Sequence, residues 1–161
     1  MTDNGGVWVK IDGAVVPQGK ILQVVMGTTS TAVTVTTTTY VDTNLTATIT
    51  PSSVSNKVLV MVSHGMGVDE TGAVGMAAGQ FRLVRDGSVI QTGPGSVMIR
   101  AGQTTGGNNN LDAAGQISIL RLDSPSSTSA LVYKTQMNAG ISTAYTTSAE
   151  PQTIVLMEVA A

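Results

Sequence analysis

Apolar residues recur at every second position over most of the chain, the period that places one side of a β-strand against a core. The first strong run is 20–26 (KILQVVM). Residues 31–39 (TAVTVTTTT) alternate imperfectly, with Val33 and Val35 on one face, and 45–50 (LTATIT) alternate cleanly through Leu45, Ala47 and Ile49. A turn cluster at 51–56 leads into 57–64 (KVLVMVSH), whose centre is apolar on both faces. Such a strand lies between two layers, or between its own sheet and another subunit. Residues 65–79 are glycine-rich and predict a long loop. Runs at 80–85 and 88–92 flank Asp86-Gly87, a strong hairpin signal. A short strand is expected at 96–100 and a second long loop at 102–110. Residues 115–123 (GQISILRLD) set Ile117, Ile119 and Arg121 on one face and Ser118, Leu120 and Leu122 on the other. Runs at 130–137 and 152–160, with a soft loop between them, complete about ten strands.

No segment carries the 3.6-residue period of a helix, and no fixed repeat of the kind that builds propellers or solenoids is present. The pattern predicts an all-β protein, a jelly-roll β-sandwich. Its strands occupy a single domain over 19–161, preceded by a short leader or arm at 1–18 that carries one compact apolar stretch, Val7, Trp8, Val9 and Ile11.

Composition agrees with this and adds a puzzle. With 23 Thr, 21 Val and 9 Ile, about a third of the 161 residues are β-branched, and such side chains favour strands over helices. Only 11% of residues are charged, against roughly 25% in ordinary globular proteins. Few charges and many β-branched residues exclude a disordered chain. A formal net charge of −2 disfavours nucleic-acid binding, which needs clustered Lys and Arg. The longest aliphatic run is five residues, 58–62, where a membrane helix needs ~20, so no membrane partner is expected. The N-terminus has no basic segment followed by an apolar one, as a secretory signal would, and synthesis in a cytoplasm is expected.

Candidate chemistry is sparse. The chain has no cysteine and a single histidine, His64, which leaves no thiol nucleophile, no His-rich metal site and no more than one imidazole for a catalytic triad. Asp69 and Glu70 read as loop solvation, Arg82, Arg85 and Asp86 as a charged hairpin end, and Phe81 as core. The glycines of 102–107 lack the Lys-Ser/Thr ending of a phosphate loop. No cofactor and no enzymatic activity are expected. Tyr145, in the predicted loop 141–148, is the best-placed aromatic for a glycan.

The charge-poor, apolar composition is better suited to assembly, because tight oligomers bury faces that monomers must wet. The strands at 58–62 and 154–159 are the expected contacts. Candidate residues at a contact between copies are Leu59, Met61, Tyr133, Leu156 and Met157.

Several stretches resemble a β-rich module of phage virion proteins, found at tail-fibre ends and in small capsid surface proteins, those of cyanophages among them. These are 19–25 (GKILQVV), 39–42 (TYVD), 45–53 (LTATITPSS), 56–60 (NKVLV), 82–85 (RLVR), 122–125 (LDSP) and the ending 154–160 (IVLMEVA). The resemblance covers nearly all of 19–161, through strand and turn residues. It implies a trimeric jelly roll similar to that of tumour necrosis factor. Because fibre proteins carry long shafts and this chain a short leader, it is more similar to a capsid decoration (cement) protein. The implied partners are further copies of the chain and the major capsid protein, on the capsid exterior, after synthesis in the bacterial host. Val7, Trp8, Val9 and Ile11 would anchor an extended arm on a capsid sheet edge, or else form a first strand. The alternative is a tail-fibre module in which Tyr145 holds a host surface glycan.

Overall fold

A computed structural model of the chain describes residues 19–70, 76–91, 98–102, 111–140, 143–146 and 151–161. Within them are eleven strands and no helix: β1 (Ile21–Thr29), β2 (Thr34–Val35), β3 (Val41–Ile49), β4 (Lys57–Glu70), β5 (Met76–Arg85), β6 (Ser88–Gln91), β7 (Met98–Gly102), β8 (Leu111–Asp123), β9 (Leu131–Ala139), β10 (Thr143–Thr146) and β11 (Gln152–Val159). They form two antiparallel sheets stacked as a sandwich.

The first sheet is organised around β4. One edge of β4 pairs along its length with β8, from Val58↔Asp123 to Glu70↔Leu111. Its other edge pairs first with β11 (Lys57↔Val159 to Ser63↔Thr153) and then with β10 (Met66↔Thr146 to Asp69↔Thr143). β1 lies outside β11, and β2 outside β10. The second sheet runs β3-β9-β5-β6, with β7 also on β5. Long strands therefore alternate between the layers, and the first pairs with the last. That is the connectivity of a jelly roll.

The core fills the space between the sheets. Val58, Val60, Val62, Met66, Val68, Ile117, Ile119, Ile154 and Leu156 meet Leu45, Ala47, Ile49, Phe81, Leu83, Leu131, Tyr133 and Met137. Each set sits at alternate positions of its strands, as the period of two requires.

Local chemistry sets the turns. Asp86 and Gly87 both have positive φ, 47° and 84°, the pair of left-handed residues that a type I′ hairpin needs, and β5 and β6 follow on either side. Asn44, at φ 64°, sits in a register shift between Asp42 and Thr46, where β3 bends. At Gly27 the two layers meet at a corner, and a Cβ there would fall 2.0 Å from the carbonyl oxygen of Thr46.

Four expectations need correction. The glycine-rich segment expected as a loop over 65–79 is strand through Glu70 and again from Met76. Gly79 lies against Met66, Val68 and Ala144, so glycine here marks close approach between layers, a use it has inside strands. The soft loop before the last strand contains β10, whose four residues are too few to show a period. Residues 31–39 contribute only the two-residue β2, and β8 begins four residues ahead of its expected start.

Candidate assembly surface

A sandwich of two sheets has two outer faces, and here they differ in kind. On β4, Val58, Val60 and Val62 point inward, so Leu59 and Met61 point out. β11 turns Ile154 and Leu156 inward and Val155 and Met157 out. β8 buries Ile117 and Ile119 and exposes Leu120 and Leu122, the division expected from its alternation.

Register joins these positions into rows. Val24 faces Met157, Met157 faces Leu59, and Leu59 faces Leu122. One step along, Met26, Val155, Met61 and Leu120 line up across the same four strands. Eight apolar side chains thus cover the outer face in two adjacent cross-strand rows. The next row is made of hydroxyls, Thr28, Thr153, Ser63 and Ser118. No charged residue stands in any of the three.

Exposure is greatest at the two borders of this face. Val24 and Met26 on β1 are 58% and 65% exposed, and Leu120 and Leu122 on β8 are 67% and 48% exposed. In the middle, Met61 is 43% exposed, while Leu59, Val155 and Met157 are half-buried by their neighbours. Ile21 and Leu22 extend the apolar area at the start of β1.

The outer face of the second sheet carries the charge. Lys134 Nζ donates to Asp42 Oδ2 at 2.7 Å, and Gln136 Nε2 donates to Asp42 Oδ1 at 2.6 Å. Arg82 Nε donates to Gln136 Oε1 at 2.7 Å, and its guanidinium lies 4.0 Å from the centre of the Tyr40 ring. Burial pushes the Asp42 carboxyl up, but its bonds to Lys134 and Gln136 and the nearby cations more than reverse this and leave it below its usual value. This face is wet and self-satisfied.

Ionisable groups inside the sandwich hold the structure together. Glu158 is 1% exposed. Its Oε1 accepts from Ser52 N at 2.6 Å, Ser52 Oγ at 2.7 Å and Asn56 Nδ2 at 2.6 Å, and its Oε2 from Gln23 Nε2 at 2.6 Å. Burial raises its pKa, and the hydrogen bonds from Asn56, Gln23 and Ser52 outweigh that and bring it to about 2. Asp123, at the end of β8, accepts from Tyr133 Oη at 2.7 Å and pairs with Arg85, so one carboxylate ties the first sheet to two strands of the second. His64 is fully buried mid-strand in β4, its ring 4.5 Å from that of Phe81. Its Nδ1 lies 3.2 Å from the Gly65 carbonyl oxygen, while Nε2 has no hydrogen-bond partner. Burial pushes its pKa down to about 4, against the Gly65 bond. Among the described residues, no three His, Asp or Glu side chains gather as a metal site would require.

The sequence candidates divide accordingly. Leu59, Met61 and Met157 lie on the apolar outer face. Tyr133 and Leu156, expected there too, are fully buried in the core. Leu156 lies between Val155 and Met157 and must point the other way, and the Tyr133 hydroxyl reaches the buried Asp123. Val24, Met26, Val155, Leu120 and Leu122 were not among the candidates, although the signal that finds them is present: each belongs to a strand that is apolar on both faces. Tyr145 is not in a loop. It lies in β10, with backbone pairing to Thr34 and Gly67. Val7, Trp8, Val9 and Ile11 fall outside the described residues.

No family model matches the chain, and no curated protein matches it. Among solved structures it is similar to capsid chains of infectious bursal disease virus. One is from derived T=1 particles, with a TM-score of 0.35 and 14% identity over 99% of this chain and 41% of that one. A second is from the T13 viral particle, with a TM-score of 0.35 and 13% identity over the same shares. A third is the VP2 subviral particle, with a TM-score of 0.35 and 14% identity over 97% of this chain and 42% of that one. The chain spans about two fifths of the length of these capsid chains.

Proposed function

We propose that this protein is a non-enzymatic structural component of a phage virion, a decoration protein that sits as a trimer on the capsid exterior and clamps neighbouring major capsid subunits. The observation that carries this reading is the contrast between the two outer faces. One is charged and internally hydrogen-bonded, and the other is an uncharged array of eight aliphatic and methionine side chains on a rigid sheet. An apolar array of that kind serves to meet protein. The described carboxylates that are buried, Asp123 and Glu158, are spent on cross-links between strands, which suits a part that must bear load. The resemblance of 19–161 to phage virion modules supplies the setting, and packaged DNA supplies the outward pressure that such a clamp would resist.

Quantitative mass spectrometry of purified particles tests the reading. Hundreds of copies per virion are expected. A few copies confined to the tail would instead favour adhesion, with a host glycan as partner, and absence from particles would end the virion reading altogether.

A further inference from the structure

His64 sits where one edge of β4 changes partner. β11 leaves that edge at Ser63↔Thr153, and β10 joins it at Met66↔Thr146. Between them His64 and Gly65 have no strand partner on that edge among the described residues, while β8 pairs with both on the other edge through Ile117 and Gln116. The imidazole helps to fill the break. A carbonyl can only accept, so the 3.2 Å contact between Nδ1 and the Gly65 oxygen places the proton of the neutral ring on Nδ1. Nε2 is then a bare lone pair, buried and with no hydrogen-bond partner.

The surroundings offer nothing to balance a second proton. Val62 and Met66 flank the ring on the inner side of β4, Ile117 stands opposite on β8, and the Phe81 ring of β5 lies 4.5 Å away, tilted by 57°. Beyond Met66, Val68 and Ala144 close over Gly79. None of these titrates. The nearest charged residues along β4 are Lys57 and Asp69, and along β8 Asp112 and Arg121, each at least ~13 Å off at ~3.3 Å per residue. Arg82, next to Phe81, points to the outer face, where Gln136 and Tyr40 hold it. Lys134 of β9 is on that outer face with Asp42, Glu158 of β11 is bound by Asn56, and β10 carries no carboxylate or cation.

The part of the sheet beyond the break is lightly held. β10 has four residues and β2, which pairs with it, has two. Before the break stand the eight-residue β11 and the nine-residue β1. Short, sparsely paired segments open by themselves, ahead of global unfolding. An imidazolium at His64 would leave a charge and an N–H donor in an apolar interior, and water entering at the break is the least costly relief.

We propose that His64 is an acid-sensitive latch: while its ring is neutral β10 and β2 stay closed on β4, and protonation at Nε2 opens that corner with β1, β3, β9 and β11 still folded. Burial holds the ring near a pKa of about 4 in the closed form, against its Gly65 bond, and an opened ring returns to about 6.5. The open form therefore takes up the proton first. Its share is smallest above about pH 6.5 and rises as pH falls toward 4, by about 50-fold between pH 7 and 4.5. The latch is a property of the chain alone and does not depend on the virion reading.

Hydrogen exchange of the full chain tests it, read by mass spectrometry at pH 7 and 4.5 with labelling times scaled to the intrinsic exchange rate. Peptides spanning 143–146 and 34–35 are expected to lose protection by about 50-fold in acid, while those spanning 45–49 and 154–159 stay protected. His64→Met is expected to give 143–146 the same protection at both pH values. In the wild type, a loss spread evenly over all strands, or no loss, would overturn the latch. An equal loss in His64→Met would overturn it too, by placing the titrating group elsewhere. The comparison between regions needs only the wild type, so it decides the matter even where His64→Met does not fold.

Discussion

Asn56 donates its side-chain amide to Glu158 Oε1 across 2.6 Å, inside a site where the carboxylate is all but sealed from water. The bond joins the turn before β4 to the end of β11, and Gln23 brings in β1 from the other oxygen. No cation neutralises this carboxylate in the hydrogen-bond set; four N–H and O–H donors do so. Glu158→Gln keeps the volume but places an amide N–H₂ among donors. It is expected to lower stability by about 3 kcal/mol, the scale of a buried charge-assisted network broken at one member. Urea unfolding measures this, and a loss under ~0.5 kcal/mol would show that the network is not taut.

Acid sensitivity follows from the same carboxylate and from His64. His64 has a pKa near 4 when folded and about 6.5 when unfolded. The unfolded chain binds the extra proton first, so stability is full above about pH 6.5 and falls as pH drops toward 4, by on the order of 3 kcal/mol. Glu158, near 2 when folded, adds a second loss between about pH 4.5 and 2. The thermal midpoint is expected to decline in two stages. His64→Met should flatten the upper stage and leave the lower one. An identical decline in both proteins would refute the assignment.

Tyr133 and Asp123 connect the layers at one end. Burial and the Asp123 carboxylate push the phenol above its usual pKa, with Arg85 opposing, so the hydroxyl stays a donor. Tyr133→Phe keeps the ring in the core and leaves Asp123 with Arg85. A loss of about 1–2 kcal/mol is expected, with no change in oligomeric mass. A change in mass would place Tyr133 at an interface after all.

Gly27 is the tightest point of the corner between β1 and β3. An added methyl would meet the main-chain oxygen of Thr46, which cannot move without breaking the β3 ladder. Gly27→Ala is expected to cost about 2 kcal/mol or more, whereas Gly87→Ala, with open space around it but φ of 84°, should cost about 1 kcal/mol. Equal costs measured by calorimetry would contradict the close approach.

Much of this architecture was legible beforehand. Alternation in 45–50 and 115–123 placed strands and separated their two faces, the run at 152–160 placed the last strand, and Asp86-Gly87 placed a hairpin. What misled was composition. Gly65, Gly67 and Gly79 looked like loop residues because nothing in a one-dimensional pattern distinguishes a glycine that frees the chain from one that lets a neighbouring layer come close. β10 was invisible for a related reason, since its pairing is set by β4 and β2 rather than by its own four residues.

The doubly apolar strands show most clearly where local information ends. Only 11% of the residues carry charge, and periodicity alone established that 58–62 and 154–159 had two apolar sides. It could not establish which side was inner, so Leu156 and Tyr133 were grouped with Leu59, Met61 and Met157. Packing settled this, because a two-layer sandwich has one interior and whatever lies opposite must face out. Register then brought Val24, Met26, Val155, Leu120 and Leu122 beside them from strands far apart in the chain. A strand's period belongs to its own residues, but the neighbours that make a surface are chosen by hydrogen bonding between strands, and that exists only once the sheets have formed.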